Sequence, residues 1–122
     1  MSAELDIGLV VLAAGFGTTG TPGAVIGTEW NTADIWVRRK VELKDIASQS
    51  GLALLMHHDE DVEVYVNGTQ VYSAAGYSVR YEADYLDLTG MQAFKDGSNS
   101  IAVHCHQTLG GQYLDMGLVE YV

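Results

Sequence analysis

The chain has 122 residues, 48% of them apolar and 18% charged, which suits one domain with a single buried core and excludes a disordered segment. Sixteen Asp and Glu against six Lys and Arg give a formal charge of −10, so phosphate backbones and anionic membranes are repelled and neither is an expected partner. Fourteen Gly, one Pro and one Cys, Cys105, describe a turn-rich chain whose folding does not depend on an internal disulfide.

Leu5 to Ala14 reads as a first strand. Its apolar part follows the acids Glu4 and Asp6 rather than a basic segment, so it is not a secretory leader. No stretch approaches the roughly 20 apolar residues of a membrane span. Gly15 to Gly27 is dense in Gly and Thr; it lacks the GK[ST] ending of a phosphate-binding loop and is expected to be an ordinary loop packed around Phe16. Asp34 to Leu43 alternates: Ile35, Val37, Arg39, Val41 and Leu43 share one face, and Trp36, Arg38, Lys40 and Glu42 share the other. Arg39 on the apolar side then needs a carboxylate or carbonyl partner. Lys44 to Gly51 is a connection in which Asp45 caps a short helical turn.

The central stretch is Leu52 to Gly68. Leu52 to Met56 is a continuous apolar run of strand length, fit to be packed on both sides, whereas Val62, Val64 and Val66 alternate with Glu63, Tyr65 and Asn67. Between them lies His57-His58-Asp59-Glu60-Asp61, too charged to enter an apolar interior unpaired. Asn67-Gly68 predicts a type I′ turn into a partner strand, Gln70 to Ala74. Ala75 to Asp84 reads as a long aromatic and polar loop. Leu86 to Lys95 holds one helical turn with Thr89 as its N-cap. Asn99 to Gln107 is a strong strand with Ile101, Val103 and Cys105 on one face and Ala102, His104 and His106 on the other. Gly110-Gly111 breaks it, and Gln112 to Val122 closes the chain with Leu114, Met116 and Leu118 on one face. Seven or eight strands with glycine-rich turns and little helix imply an all-β fold, an antiparallel β-sandwich.

WVRRKVEL, LALLMHHDEDVEVYVNG and LTGMQAFKDGSNSIAVHCHQ, in that order, resemble the galactose-binding-like β-sandwich (jelly-roll) domains attached to glycoside hydrolases. The matching positions are Trp36, Arg38, Arg39, Val41, Leu43, Asp61, Val64, Tyr65, Val66, Asn67, Gly68, Gly97, Asn99, Ile101, Ala102 and Val103, within residues 28–122. The resemblance implies a jelly-roll sandwich, a single domain over residues 1–122 excised from a larger secreted enzyme, and an extracellular or periplasmic location with the signal outside this chain. It also implies a non-catalytic carbohydrate-binding or accessory module whose partners are a polysaccharide or oligosaccharide and the catalytic domain of the parent enzyme. A purely structural bracing domain is the alternative. The matching residues are scaffold, and the histidines and HQTLGGQY depart from the common pattern, so no sugar site is carried over.

Candidate site residues come from the chemistry of the side chains. Sugars stack their C–H faces on Trp or Tyr, and His, Gln, Asn and Asp take up hydroxyls. Trp36, on the charged face of its strand, is the foremost aromatic; Trp30, Tyr77, Tyr81 and Tyr113 also lie in or beside loops. His-x-His on a strand places His104 and His106 on one face about 7 Å apart. If the Leu52–His57 strand neighbours Asn99–Gln107, then His57, His104, His106 and Gln107 converge on one rim beside Gly110-Gly111 and Tyr113. The same histidines, with His57 or His58 as a third nitrogen, form the rival reading of a small metal-dependent enzyme using a transition metal. Asp59 and Asp61 are candidate ligands for a structural calcium ion. No catalytic residue is identified otherwise, and Cys105 on the apolar side of its strand is an unreactive thiol.

Overall fold

The computed structural model describes residues 3–4, 15–18, 25–45, 51–108 and 110–121. The strands among them are β1 (Ala3–Glu4), β2 (Gly15–Gly17), β3 (Ile26–Glu29), β4 (Asp34–Leu43), β5 (Gly51–Asp59), β6 (Asp61–Val66), β7 (Thr69–Ala74), β8 (Glu82–Tyr85), β9 (Gly97–His106) and β10 (Tyr113–Tyr121). One short helix, α1 (Leu88–Gln92), precedes β9. The strands form two sheets in a sandwich. One runs β3-β2-β10-β5-β8, with β1 also on β10; the other runs β4-β9-β6-β7. Every pairing is antiparallel except β2 with β3, which is parallel. The strand expected over Leu5 to Ala14 lies outside the described residues.

The core is what alternation dictates. Leu52, Leu54 and Met56 of β5 and Leu114, Met116 and Leu118 of β10 meet Val62, Val64 and Val66 of β6 and Ile101, Val103 and Cys105 of β9, with Val41 and Leu43 of β4. Each such side chain, fully buried, contributes about 1.5–3 kcal/mol. Trp30, Leu86 and Phe94 join this cluster, so Trp30 is a core residue rather than a loop aromatic. Strand β5 is buried along nearly its whole length, as expected for a run packed on both sides.

Five local expectations are corrected. Part of the Gly/Thr-rich loop is strand, because Gly15 and Gly17 let β2 press against β10: a Cβ on Gly17 would lie 2.2 Å from the Gln112 carbonyl oxygen. Arg39 is exposed, because β4 lies at one end of its sheet. Glu82 to Tyr85, at the end of the expected aromatic loop, pairs with β5. The helix cap is Asp87, whose carboxylate accepts the Gly90 N–H at 2.8 Å, not Thr89. His57, His58 and Asp59 are buried, since the 75–81 segment covers them: the His58 N–H donates to Ser78 Oγ, and the Ser78 N–H to the His58 carbonyl. Asp45 has a left-handed φ of 54°, and the helical turn expected after it lies outside the described residues.

The β6–β7 turn is as the sequence predicts, with φ of 50° at Asn67 and 85° at Gly68. It is tied to β9 by side chains. Asn67 Nδ2 donates to the Ala93 carbonyl and to Asn99 Oδ1, and Asn67 Oδ1 accepts the Ser100 N–H. Asn99 is fully buried; its Oδ1 also accepts the Lys95 N–H, while its Nδ2 donates to the Lys95 and Gly97 carbonyls. Asn99→Ala removes these bonds and leaves part-buried backbone groups of Lys95 and Gly97 without them, an expected cost of about 2 kcal/mol. The check is the denaturation midpoint at unchanged m-value, with Ser98→Ala as a surface control staying within about 0.5 kcal/mol. Burial also pushes the Cys105 thiol up to about 12. An aromatic disulfide reagent is therefore expected to react with it only once denaturant unfolds the chain.

Candidate functional site

Strand β9 sends Ile101, Val103 and Cys105 inward, so Ser100, Ala102, His104 and His106 emerge on the outer face of the four-stranded sheet. Its neighbours are in register. Asp34, Trp36, Arg38 and Lys40 of β4 stand opposite His106, His104, Ala102 and Ser100. On the other side, Asp61, Glu63 and Tyr65 of β6 stand opposite His106, His104 and Ala102. The outer face is thus ordered in rows: acids and imidazoles at one end, aromatics in the middle, cations at the other.

At the acidic end the imidazoles are held from both sides. His104 Nε2 lies 2.8 Å from Asp34 Oδ1 and its Nδ1 2.8 Å from Glu63 Oε1. Two carboxylate acceptors require both ring nitrogens to carry protons, so this arrangement favours the imidazolium. Burial opposes that with the largest single effect, but the hydrogen bonds to Glu63 and Asp34 together outweigh it, and the His104 pKa is raised from its ordinary value. Asp34 Oδ1 also accepts from His106 Nδ1 at 2.8 Å, and the bonds from His106 and then His104 lower the Asp34 pKa.

In the middle, Trp36 is 47% exposed. Its ring stacks on His104 with centroids 4.6 Å apart and planes 15° apart, and Tyr65 lies 5.8 Å away, tilted by 33°. The Arg38 guanidinium carbon is 5.3 Å from the Trp36 ring centroid, a cation–π contact. Loss of solvation first, and Glu63 second, raise the Tyr65 pKa, which keeps its hydroxyl protonated. Between Arg38 and Tyr65 stands only the methyl of Ala102, and a depression of about 610 Å³ opens there, lined also by Trp36, Arg39 and Lys40. A second, more polar depression of about 470 Å³ lies at the other end, against Asp61, Glu63, Ser73, His104 and His106.

The structure brings Trp36, His104 and His106 together and sends the other expected residues elsewhere. Strand β5 pairs with β10 and β8 in the opposite sheet, not with β9. His57 is therefore not on the histidine rim: it is 1% exposed and packs edge-on against Tyr81 and Tyr113. Tyr113 is 0% exposed, its hydroxyl accepting the Gly15 N–H and donating to the Val25 carbonyl, so it cannot stack on an arriving ligand. Gln107 bonds back to the loop, its Nε2 donating to the Gly110 carbonyl at 2.8 Å. Asp59 is buried in one sheet, while Asp61 belongs to the other and accepts the Gly76 N–H at 2.7 Å. Among the described residues no three His, Cys, Asp or Glu side chains are gathered to hold a metal ion. Asp34, Arg38, Glu63 and Tyr65 complete the face; the sequence marks Asp34 only as a polar neighbour of Trp36, places Arg38 and Tyr65 among the scaffold positions and gives Glu63 no site role. Their alternation was visible; the strand order that joins them was not.

No family model matches the chain, and no curated protein matches it by sequence. Solved structures do. The chain is similar to the β-glucuronidase of Ruminococcus gnavus, at TM-score 0.55 and 14% identity over 72% of this chain and 20% of that one. It is also similar to Bacteroides uniformis β-glucuronidase 2 covalently bound to cyclophellitol-6-carboxylate aziridine, at TM-score 0.60 and 17% identity over 92% of this chain and 18% of that one. The chain thus spans about one-fifth of the length of these glycoside hydrolases, and the likeness establishes a shared fold.

The ion pairs set a pH window. The raised pKa of His104 gives stabilisation that is complete below about 6.5 and lost as pH rises through the raised value. The lowered pKa of Asp34 gives stabilisation that is complete above about 3.8 and lost as pH falls through the lowered value. The melting-temperature difference between the native chain and Asp34→Ala is expected to be widest between pH 3.8 and 6.5 and to narrow on both sides. A flat difference across pH would mean that Asp34 acts by packing alone.

Proposed function

We propose that this domain is a non-catalytic carbohydrate-binding module that works with a glycoside hydrolase, and that it receives sugar on the outer face of β4, β9 and β6. The observation that carries the reading is Trp36: a large aromatic left half exposed in the middle of a sheet face, steadied by His104 and flanked by Tyr65 above a depression. Aromatic surface supplies stacking for a pyranose, and the polar rows on either side supply donors and acceptors for its hydroxyls. The fold shared with β-glucuronidases supports a place beside a catalytic domain; we further propose that the longer protein degrades polysaccharide outside the cytoplasm. Hydrolysis itself needs two carboxylates flanking a glycosidic bond; the outward Asp34 and Glu63 are instead engaged by imidazoles.

A bracing role, without sugar binding, is favoured by a different observation: the stretch from Tyr77 to Leu88 exposes Tyr77, Val79, Tyr81, Tyr85 and Leu88. Affinity electrophoresis against soluble plant and microbial polysaccharides separates the two. The binding reading expects retardation by at least one polysaccharide, weakened about tenfold, on the order of 1.4 kcal/mol, in Trp36→Ala. The bracing reading expects no retardation across the panel.

A further inference from the structure

The charge on the platform is not that of the molecule. The chain carries −10 overall with only six Lys and Arg, yet three of those six, Arg38, Arg39 and Lys40, line the depression beside Trp36 and Tyr65. Arg38 and Lys40 project on the outer face with Trp36, opposite Ala102 and Ser100, which bear no charge. Among the described residues neither forms an ion pair with a carboxylate; Arg38 is held instead by its contact with the Trp36 ring. Two cations without a carboxylate partner among the described residues, around a hollow whose other lining includes the uncharged Gly68, Ser100 and Ala102, are suited to an anion brought by the ligand.

We infer that the depression takes the carboxylate of a uronic acid, with the sugar ring on the Trp36–Tyr65 surface and the carboxylate toward Arg38 and Lys40. The inference rests on the carbohydrate-binding reading above and specifies its ligand class. A planar guanidinium matches a planar carboxylate in a two-point hydrogen bond, which a neutral hydroxymethyl group cannot reproduce. The opposite end of the face gives a direction. Asp34 lies four residues from Arg38 along β4, about 13 Å at the rise of a strand, and Asp34, Glu63 and Asp61 gather there. Carboxylates at that end repel a further anion and suit hydroxyl groups. The ligand is therefore an oligosaccharide with a terminal or isolated uronate followed by neutral sugar, rather than a uniformly charged polyanion.

The test is isothermal titration with oligosaccharides ending in glucuronate, galacturonate or mannuronate, each paired with its carboxyl-reduced counterpart, and with a sulfated neutral oligosaccharide. At least one uronide is expected to bind about tenfold more tightly than its reduced partner, and that preference should shrink as salt rises. In Arg38→Gln combined with Lys40→Gln the preference should vanish while binding of the reduced sugar persists; Trp36→Ala should weaken both. Equal binding of acid and reduced forms overturns the uronate inference and leaves the sugar-binding reading standing. A sulfated neutral sugar binding as tightly as the best uronide overturns the carboxylate assignment. No binding of any of these sugars overturns both readings.

Discussion

Strand β9 is bound by the alternation of a pleated strand: each step of one residue reverses the face. Ile101, Val103 and Cys105 occupy the core while Ala102, His104 and His106 occupy the outer surface. A slip of one residue would bury two imidazoles and expose three core side chains, so the register is fixed by burial on one side alone. The two neighbours inherit it. Tyr65 stands across Ala102 and Glu63 across His104 only because β6 is aligned to β9, and that alignment is fastened at the turn by Asn67, Asn99 and Ser100. At the centre of the lock is the buried Asn99, whose amide a shifted pairing would leave unsatisfied. The arrangement of the surface is thus set from inside the sheet.

Much of the architecture was legible because it depends on neighbours in sequence. The alternation in Asp34–Leu43 and Asp61–Val66, the Asn67-Gly68 turn and the uninterrupted apolar run of β5 each declare a strand or turn by themselves. The all-β sandwich follows from their number. The site was legible only where one strand sufficed: His104 and His106 share a face by spacing, and Trp36 stands among charged residues. What failed was adjacency. His57 ends a strand that looks equally able to flank β9 or β10, and nothing in Leu52–Met56 states which. Once it pairs with β10, His57 falls beside Tyr113 on a covered surface. Gly15 and Gly17 misled for a related reason, since glycine reads as a loop residue when the partner pressing against it, Tyr113 or Gln112 near the other end of the sequence, is unseen.

The two outer surfaces of the sandwich make opposite use of polar groups. Beyond the β5–β10 sheet, Tyr81 donates to Asp115, and burial raises the Asp115 pKa despite that bond and one from the Met116 N–H. The Asp115 carboxylate and the His57 imidazole there are buried, His57 edge-on against Tyr81 and Tyr113, while Tyr81 itself keeps an exposed side. Beyond the β4–β9–β6 sheet the same kinds of group stand in solvent contact, cross-linked in rows. Asp34 gathers two imidazoles on one oxygen, which holds His104 flat beneath Trp36 and transmits order from a surface ion pair to an aromatic ring.

Among the described residues strand β4 pairs on one side only, with β9. The open margin of a sheet is the kind of template along which sheets of separate molecules zip together. Arg38, Arg39, Lys40 and Glu42 project from that strand into solvent, and long charged side chains on an open margin discourage a second copy from docking. The basic run therefore has a colloidal role whether or not a ligand is bound. Charges at such a margin disfavour edge-to-edge pairing, so the residues that line the depression are also the ones that bear on how copies of this chain meet.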